Sequence, residues 1–318
     1  MKRRQLLTFS IAGTAALCAP VPVMAQGRTL RLVVPYAAGG GVDAQARALA
    51  IPLGTALSRP VVVDNRAGGS TRIGTDFVRR AAPDGGTVLL MPAIAWIGFV
   101  ASGIFDYEPW KTLVPVCQMA ETPYNFLQTR AGSGLDSWEK VRAHAQRTPG
   151  GIRIGGPSAG GIIEYTVDDL FRRGGISGVY APFSGSGPAH AALLGGTVDL
   201  QILPFGDGMG NVASGATHPI AVSAAQRQPR APNVPTFAEL GIGETLINTF
   251  SLWVPAGTPP ATVVELATAV KSSTAEPTFK AFMEDRLAFA VGFKDAGTTA
   301  SELADVERLW LPRLKGSR

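Results

Sequence analysis

Residues 31 to 47 read RLVVPYAAGGGVDAQAR, and the order of residue types in this stretch decides the fold class. Leu32-Val33-Val34 is a short apolar run that suits a strand. Pro35 ends it, because proline has no backbone donor for a central strand. Tyr36-Ala37-Ala38 leads into Gly39, Gly40 and Gly41, and an alanine-rich segment with helical character runs from Asp43 to Leu57. Strand, glycine turn and helix in this order leave the unpaired N–H groups of the new helix pointing outwards at one spot. The helix dipole is positive there, so a carboxylate or a phosphate is welcome. The plainer alternative is that the glycines only let the chain reverse, and a glycine motif alone does not choose between the two.

The same unit recurs downstream. Pro60-Val61-Val62-Val63 suits a strand ending at Asp64-Asn65, Arg66 to Ser70 is a second glycine turn, and Ile73 to Ala82 suits a helix closed by Pro83-Asp84-Gly85-Gly86. Thr87 to Met91 is a third strand and Leu113 to Met119 a fourth. Alternation of this kind predicts a mostly parallel sheet covered on both faces. A second series begins near Asn125. Its elements are a helix over Trp138–Gln146, a strand over Ile152–Ile154, a glycine turn over Gly155–Gly161 before a helix through Phe171, and a strand over Val179–Pro182. A further turn, Phe183 to Gly187, precedes a helix over Pro188–Leu194, and Val198 to Leu203 is a strand. Two α/β lobes facing each other would bring these helix N-termini onto one cleft. The tail reads as a strand at Ser251–Val254, a proline-marked turn, and helices at Ala261–Ser273, Pro277–Arg286 and Thr299–Arg313, the last capped by Thr299 or Ser301.

With 318 residues, 46% hydrophobic and 17% charged, the chain is long enough for two domains with real cores. The formal charge is +5, but Lys2, Arg3 and Arg4 account for three of the 29 basic residues, leaving 26 against 24 acids. No basic stripe interleaved with aromatics runs through the chain, so nucleic acid is not an expected partner. The basic start MKRR, the apolar stretch Leu6–Val23 and the small residues Val23-Met24-Ala25 make residues 1–25 a cleavable export signal. Arg3-Arg4 followed by Gln5-Leu6-Leu7 suggests the twin-arginine route. One cysteine, Cys117, then remains; it cannot form an internal disulfide and suits a small core position. His144, His190 and His218 have no partners at ligand spacing, so neither metal nor other cofactor is expected. No Ser–His–Asp order or nucleophile elbow is present.

Several segments together resemble the Bug or TctC-type extracytoplasmic solute-binding proteins of tripartite tricarboxylate transporters. They are Leu32 to Tyr36 with Gly39-Gly40-Gly41-Val42-Asp43 and Ala46-Arg47, then Pro60 to Gly68, Ala82-Pro83-Asp84-Gly85, Leu193 to Leu200, Asn233 to Thr236, and Val254 to Pro259. The resemblance spans nearly all of residues 29–313. It implies an α/β, type II periplasmic binding protein: two α/β lobes with a hinge and an interlobe ligand cleft, periplasmic, not an enzyme, and expected as a monomer. Residues 26–125 with 250–318 would form lobe 1, and 126–249 lobe 2. The implied partners are a small organic carboxylate and either membrane transporter subunits or a sensor domain. One wall of the site would be Tyr36, Ala37, Ala38, Gly39, Gly40 and Gly41, with Asp43 supporting the turn and Ala93 to Trp96 adding to that lobe. The opposing wall would be Ser158, Ala159, Gly160 and Gly161 with Ser184, Gly185 and Ser186. Relatives tend to be polar where this chain has Pro92-Ala93-Ile94-Ala95-Trp96, and often acidic where it has Leu203; these departures imply a ligand with an apolar, even aromatic, body.

Single residues keep two readings each. Asp43 contacts a ligand or only stabilises a helix N-terminus, by ~0.3–1 kcal/mol. Trp96 stacks on a ligand ring or packs in the lobe. Ser184 and Ser186 donate to a carboxylate or cap the helix before Pro188. The rival function is an exported oxidoreductase binding a dinucleotide at Gly39–Gly41, with Asp64 on the ribose. Against it, Pro35 and three further residues separate Val34 from the first glycine, where that fingerprint sits tight against its strand.

Overall fold

The strands lie in chain order at Leu30–Val34 (β1), Val61–Asn65 (β2), Thr87–Pro92 (β3), Leu113–Thr122 (β4), Asn125–Arg130 (β5), Ile152–Gly156 (β6), Gly178–Pro182 (β7), Leu200–Pro204 (β8), Thr217–Val222 (β9), Asn248–Pro255 (β10) and Ala290–Asp295 (β11). They come from a computed structural model that describes residues 29–122, 125–148, 150–224, 226–243 and 247–316. The export signal read in residues 1–25 lies outside the described residues.

Two sheets result. The first has the order β11-β4-β10-β3-β1-β2 and the second β7-β6-β8-β5-β9. Neither is mostly parallel, which corrects the sequence-based expectation. In the first, β1 runs parallel to β2 and β3, but β10 is antiparallel to both β3 and β4, and β11 to β4. In the second, β6 is parallel to β7 and β8, while β5 is antiparallel to β8 and β9. The cause is the chain path. The chain leaves the first sheet at Thr122 and enters the second at Asn125. On return it inserts β10 between β3 and β4, so that strand runs against its neighbours.

Each sheet is covered by helices whose apolar faces it buries. The first lobe's core includes Leu32, Val34, Leu49, Leu89, Phe99, Phe250 and Leu266, all at 2% exposure or less. Cys117 belongs to the same core, where burial raises its thiol pKa. The second lobe packs Leu127, Val141, Ile154, Val167, Leu200 and Ile202. The expected helices are present with small boundary shifts, except that Pro277–Arg286 is an α-helix only over Pro277–Ala281 and a π-helical turn over Phe282–Arg286. Six elements went unread: the helices Ile94–Ala101, Pro109–Thr112 and Phe205–Ala213 and the strands β5, β9 and β11. Thr299 does not cap the last helix. That helix begins at Ala296, and Asp295 Oδ1 accepts from the Thr298 amide at 2.8 Å.

Candidate functional site

The glycine turn at Gly39–Gly41 meets the turn at Phe183–Gly187. The Ala37 amide donates to the Ser184 carbonyl at 3.0 Å across the lobe boundary, and a Cβ on Gly187 would lie 3.6 Å from the Ala38 carbonyl oxygen. Around this junction opens a cleft of about 620 Å³ including its mouth. Tyr36, Gly40, Gly41 and Val42 line it from the first lobe, and Pro157, Ser158, Ile162, Ile163, Ser186 and Asp207 from the second. Its floor is apolar: Pro92, Ala95, Phe99, Phe250 and Phe289, with the last two rings edge to face at 5.0 Å. Asn248, at the start of the returning strand, adds one amide. Among the described residues no Lys, Arg or His lines it.

A second recess adjoins the first, sharing Tyr36, Pro157 and Ser158. Its far wall is the second glycine turn, Gly68 to Thr71, facing Ala159, Phe183 and Ser184. Gly68, Gly69, Ser70 and Thr71 all have positive φ, from +47° to +118°. Two of the four are not glycine, a conformation that costs energy and concentrates at ligand clamps. The turn aims successive backbone groups at one concavity, at the N-terminus of the helix Arg72–Arg79. Thr71 is 2% exposed and its Oγ1 has no hydrogen-bond partner.

One amide of the first turn is satisfied from within. Gly39 N donates to Asp43 Oδ2 at 3.0 Å, and Arg47 Nε holds the same oxygen at 3.0 Å. Although burial acts the other way, these bonds hold the Asp43 pKa below the usual carboxylate range. Asp43 therefore supports the turn through Oδ2. The second lobe repeats the device: Gly160 N donates to the carboxylate of Glu164, again four residues on. Gly161 begins that helix.

Other sequence-predicted residues divide. Tyr36, Gly40, Gly41, Ser158 and Ser186 line the main cleft, Ala159 and Ser184 the adjoining recess. Gly39 and Leu203 border a third opening behind the junction, together with His190, Arg286 and Asp207. Ala37 and Gly185 form the lobe contact itself, and Ala38 is exposed beside it. Ala93 and Trp96 do not reach the cleft. Trp96 is 0% exposed, lies 5.1 Å from Trp253, and donates from Nε1 to Thr75 Oγ1 at 3.3 Å. The segment is a helix, so its register sends Ala95 and Phe99, four apart, to the cleft and Trp96 to the core. Asp64 is taken by Arg66 at 2.8 Å and Arg31 at 3.2 Å, which removes the ribose acid of the dinucleotide alternative.

Asp207 was missed from the sequence. It sits in the first turn of the helix Phe205–Ala213, between the main cleft and the third opening. Its Oδ1 is buried without a hydrogen bond of normal geometry, and a Cβ on Gly41 would lie only 1.7 Å from it. Burial pushes its carboxyl up to about 6, against the lowering influence of the Ser186 hydroxyl and the Gly41 amide. Burial raises the Tyr36 phenol as well, and the Asp207 carboxylate adds to that. A raised carboxyl binds protons better folded than unfolded. Its penalty is absent below the unfolded value near 4, grows as pH rises to about 6, and is constant above. Urea unfolding of wild type and Asp207→Asn at pH 4 and pH 7.5 should therefore diverge. The wild type is expected to lose, relative to the variant, on the order of 2 kcal/mol between the two pH values; equal pH dependence would contradict it.

Two lobes, two chain crossings and an interlobe cleft at facing glycine turns define a solute-binding protein of type II topology, with no catalytic constellation at the cleft among the described residues. The profile of TctC, the tripartite tricarboxylate transporter family receptor, matches residues 45–305. BugT of Bordetella pertussis is 34% identical over 258 residues, 80% of this chain and 78% of that protein. The periplasmic binding protein BugD superposes with a TM-score of 0.82 at 27% identity, covering 91% of this chain and 97% of that one. Rpa4515 of R. palustris, solved with adipate, gives 0.80 at 25% identity, covering 91% and 98%. The chain belongs to the TctC receptor family of periplasmic solute-binding proteins.

Proposed function

We propose that this protein captures a small organic carboxylate with an apolar body between its lobes, in the periplasm, and delivers it to the membrane components of a tripartite tricarboxylate-type transporter. Export with residues 1–25 as a cleaved signal, by the twin-arginine route, is part of the proposal. The observation that carries it is the pairing of a polar recess with an apolar cleft at the lobe junction. In the recess, the left-handed turn Gly68–Thr71, the Thr71 hydroxyl, Ser158 and Ser184 offer donors without a cationic side chain, as suits a carboxylate held by backbone and hydroxyl groups. In the cleft, Phe99, Phe250, Phe289, Ile162 and Ile163 replace Ala93, Trp96 and Leu203 as the apolar wall. The adipate in Rpa4515 is an acid of this general kind.

Apolar area buried on such walls contributes ~25 cal/mol per Å². A hydroxylated polyacid there would lose hydrogen bonds to water without replacement, at ~1–3 kcal/mol each. A thermal-shift screen of citrate, succinate, glutamate, hexanoate, benzoate and nicotinate tests the choice. A ligand at 100 times its Kd stabilises by ~2.7 kcal/mol, a shift of several degrees. Acids with apolar bodies should give it; stabilisation by citrate or glutamate alone would reverse the assignment of the wall.

A further inference from the structure

Asp207 puts a carboxylate into a cleft whose described lining has no cation. Its Oδ1 is buried and unpartnered, the lining of the main cleft contains no basic residue, and no cationic group is among those acting on its ionisation. His190 and Arg286 lie on the walls of the third opening behind it, but His190 Nδ1 is engaged with Gln201 Oε1 at 3.2 Å. The hydroxyl of Ser186, the Gly41 amide and the Tyr36 phenol are its other neighbours. A buried carboxylate with so few partners is costly unless something supplies the missing charge.

We infer that Asp207 determines specificity by accepting from a primary ammonium at the far end of the ligand, so that the captured solute is an ω-amino acid with an apolar spacer. The inference rests on the proposed function, in which the carboxylate end occupies the recess at Gly68–Thr71. Tyr36 and Ser158 line both recess and cleft, so one extended ligand spans from donors to Asp207 along Tyr36. Its apolar spacer lies against the rings and branched side chains of the floor. A diacid in the same pose sets a second carboxylate against Asp207 and binds only after a proton is taken up, which the raised carboxyl pKa makes accessible near pH 6 but not at pH 8. A neutral-ended acid leaves Asp207 desolvated and unpaired.

Isothermal titration at pH 8 of 6-aminohexanoate, hexanoate, adipate and hexylamine tests this, as does the rigid set 4-(aminomethyl)benzoate, 4-methylbenzoate and terephthalate. The ammonium acid is expected to bind about tenfold to a hundredfold more tightly than the neutral-ended acid, as a charge-assisted bond would give, with the diacid weakest. Asp207→Asn should erase the preference, and its thermal transition reports whether it folds; the wild-type comparison stands without it. Equal or tighter binding of hexanoate or adipate overturns the ammonium assignment and leaves the carboxylate function standing, as does a preference that survives in Asp207→Asn. Hexylamine binding as tightly as 6-aminohexanoate overturns the carboxylate function instead. Binding by none of the compounds overturns both.

Discussion

Trp96→Ala is expected to cost the folded protein about 3–5 kcal/mol, the range for truncating a large buried aromatic, while leaving the order of ligand preference unchanged. The ring has no exposed surface, meets Trp253 edge to face and donates to Thr75, itself fully buried. Truncation therefore opens a void in the first lobe's core, loses an aromatic pair, and strands the Thr75 hydroxyl. None of these atoms touches the cleft. Denaturant unfolding of wild type and variant measures the first part, and titration of the folded variant with an acid series measures the second. Stability within about 1 kcal/mol of wild type together with altered ligand choice would put the indole on the ligand after all.

Gly206→Ala is expected to weaken ligand binding about tenfold to a hundredfold without unfolding either lobe. Gly206 stands in the second residue of the helix Phe205–Ala213, and its Cα faces the Leu287 backbone of the first lobe. An added Cβ would lie 1.3 Å from the Leu287 carbonyl oxygen and 2.2 Å from its carbon. Backbone cannot rotate away as a side chain can, so the lobes must separate there. Overpacking of this kind costs about 1–3 kcal/mol, and because the cleft lies next to this contact the cost falls on the arrangement that encloses the ligand. Titration gives the Kd, and small-angle scattering of the ligand-bound variant should show a larger radius of gyration than wild type. Unchanged affinity would mean that ligand is held without this contact.

Much of the fold is legible in the sequence because the βα units are local. Apolar run, glycine turn and alanine-rich helix follow within a few tens of residues, and each is dictated by its own neighbours. The pairing of β10 is not legible, since nothing in Asn248–Pro255 says that it enters between β3 and β4. For the site, the glycine turns stand out by composition, and those at Gly39–Gly41 and Phe183–Gly187 lie at the lobe junction. What composition hides is who answers their amides: Asp43 and Glu164 each reach back four residues, a helical spacing visible once the helix starts are known. Trp96 keeps two readings in the sequence because Ile94–Ala101 is apolar on every side, so periodicity gives no face to choose. Asp207 had a signal, an acid just inside a helix following a β8-like strand. Phe250 and Phe289 had none, because they arrive from a part of the chain distant in sequence.

The placement of β10 also fixes an order of assembly. The second lobe is contiguous from Asn125 to Val222, so its strands find each other over short loops with a small entropy cost. The first lobe pairs Phe250 with Pro92 and Ala120, contacts that close only after the whole second lobe has been made. High sequence separation slows such pairings. A nascent chain stopped before Asn248 therefore carries one lobe able to complete itself and one sheet with a gap in its middle, its β3 and β4 edges open to water. The half that holds Tyr36 and the left-handed turn becomes competent last, so the wall formed by Ser158, Ser186 and Asp207 waits for its opposite face.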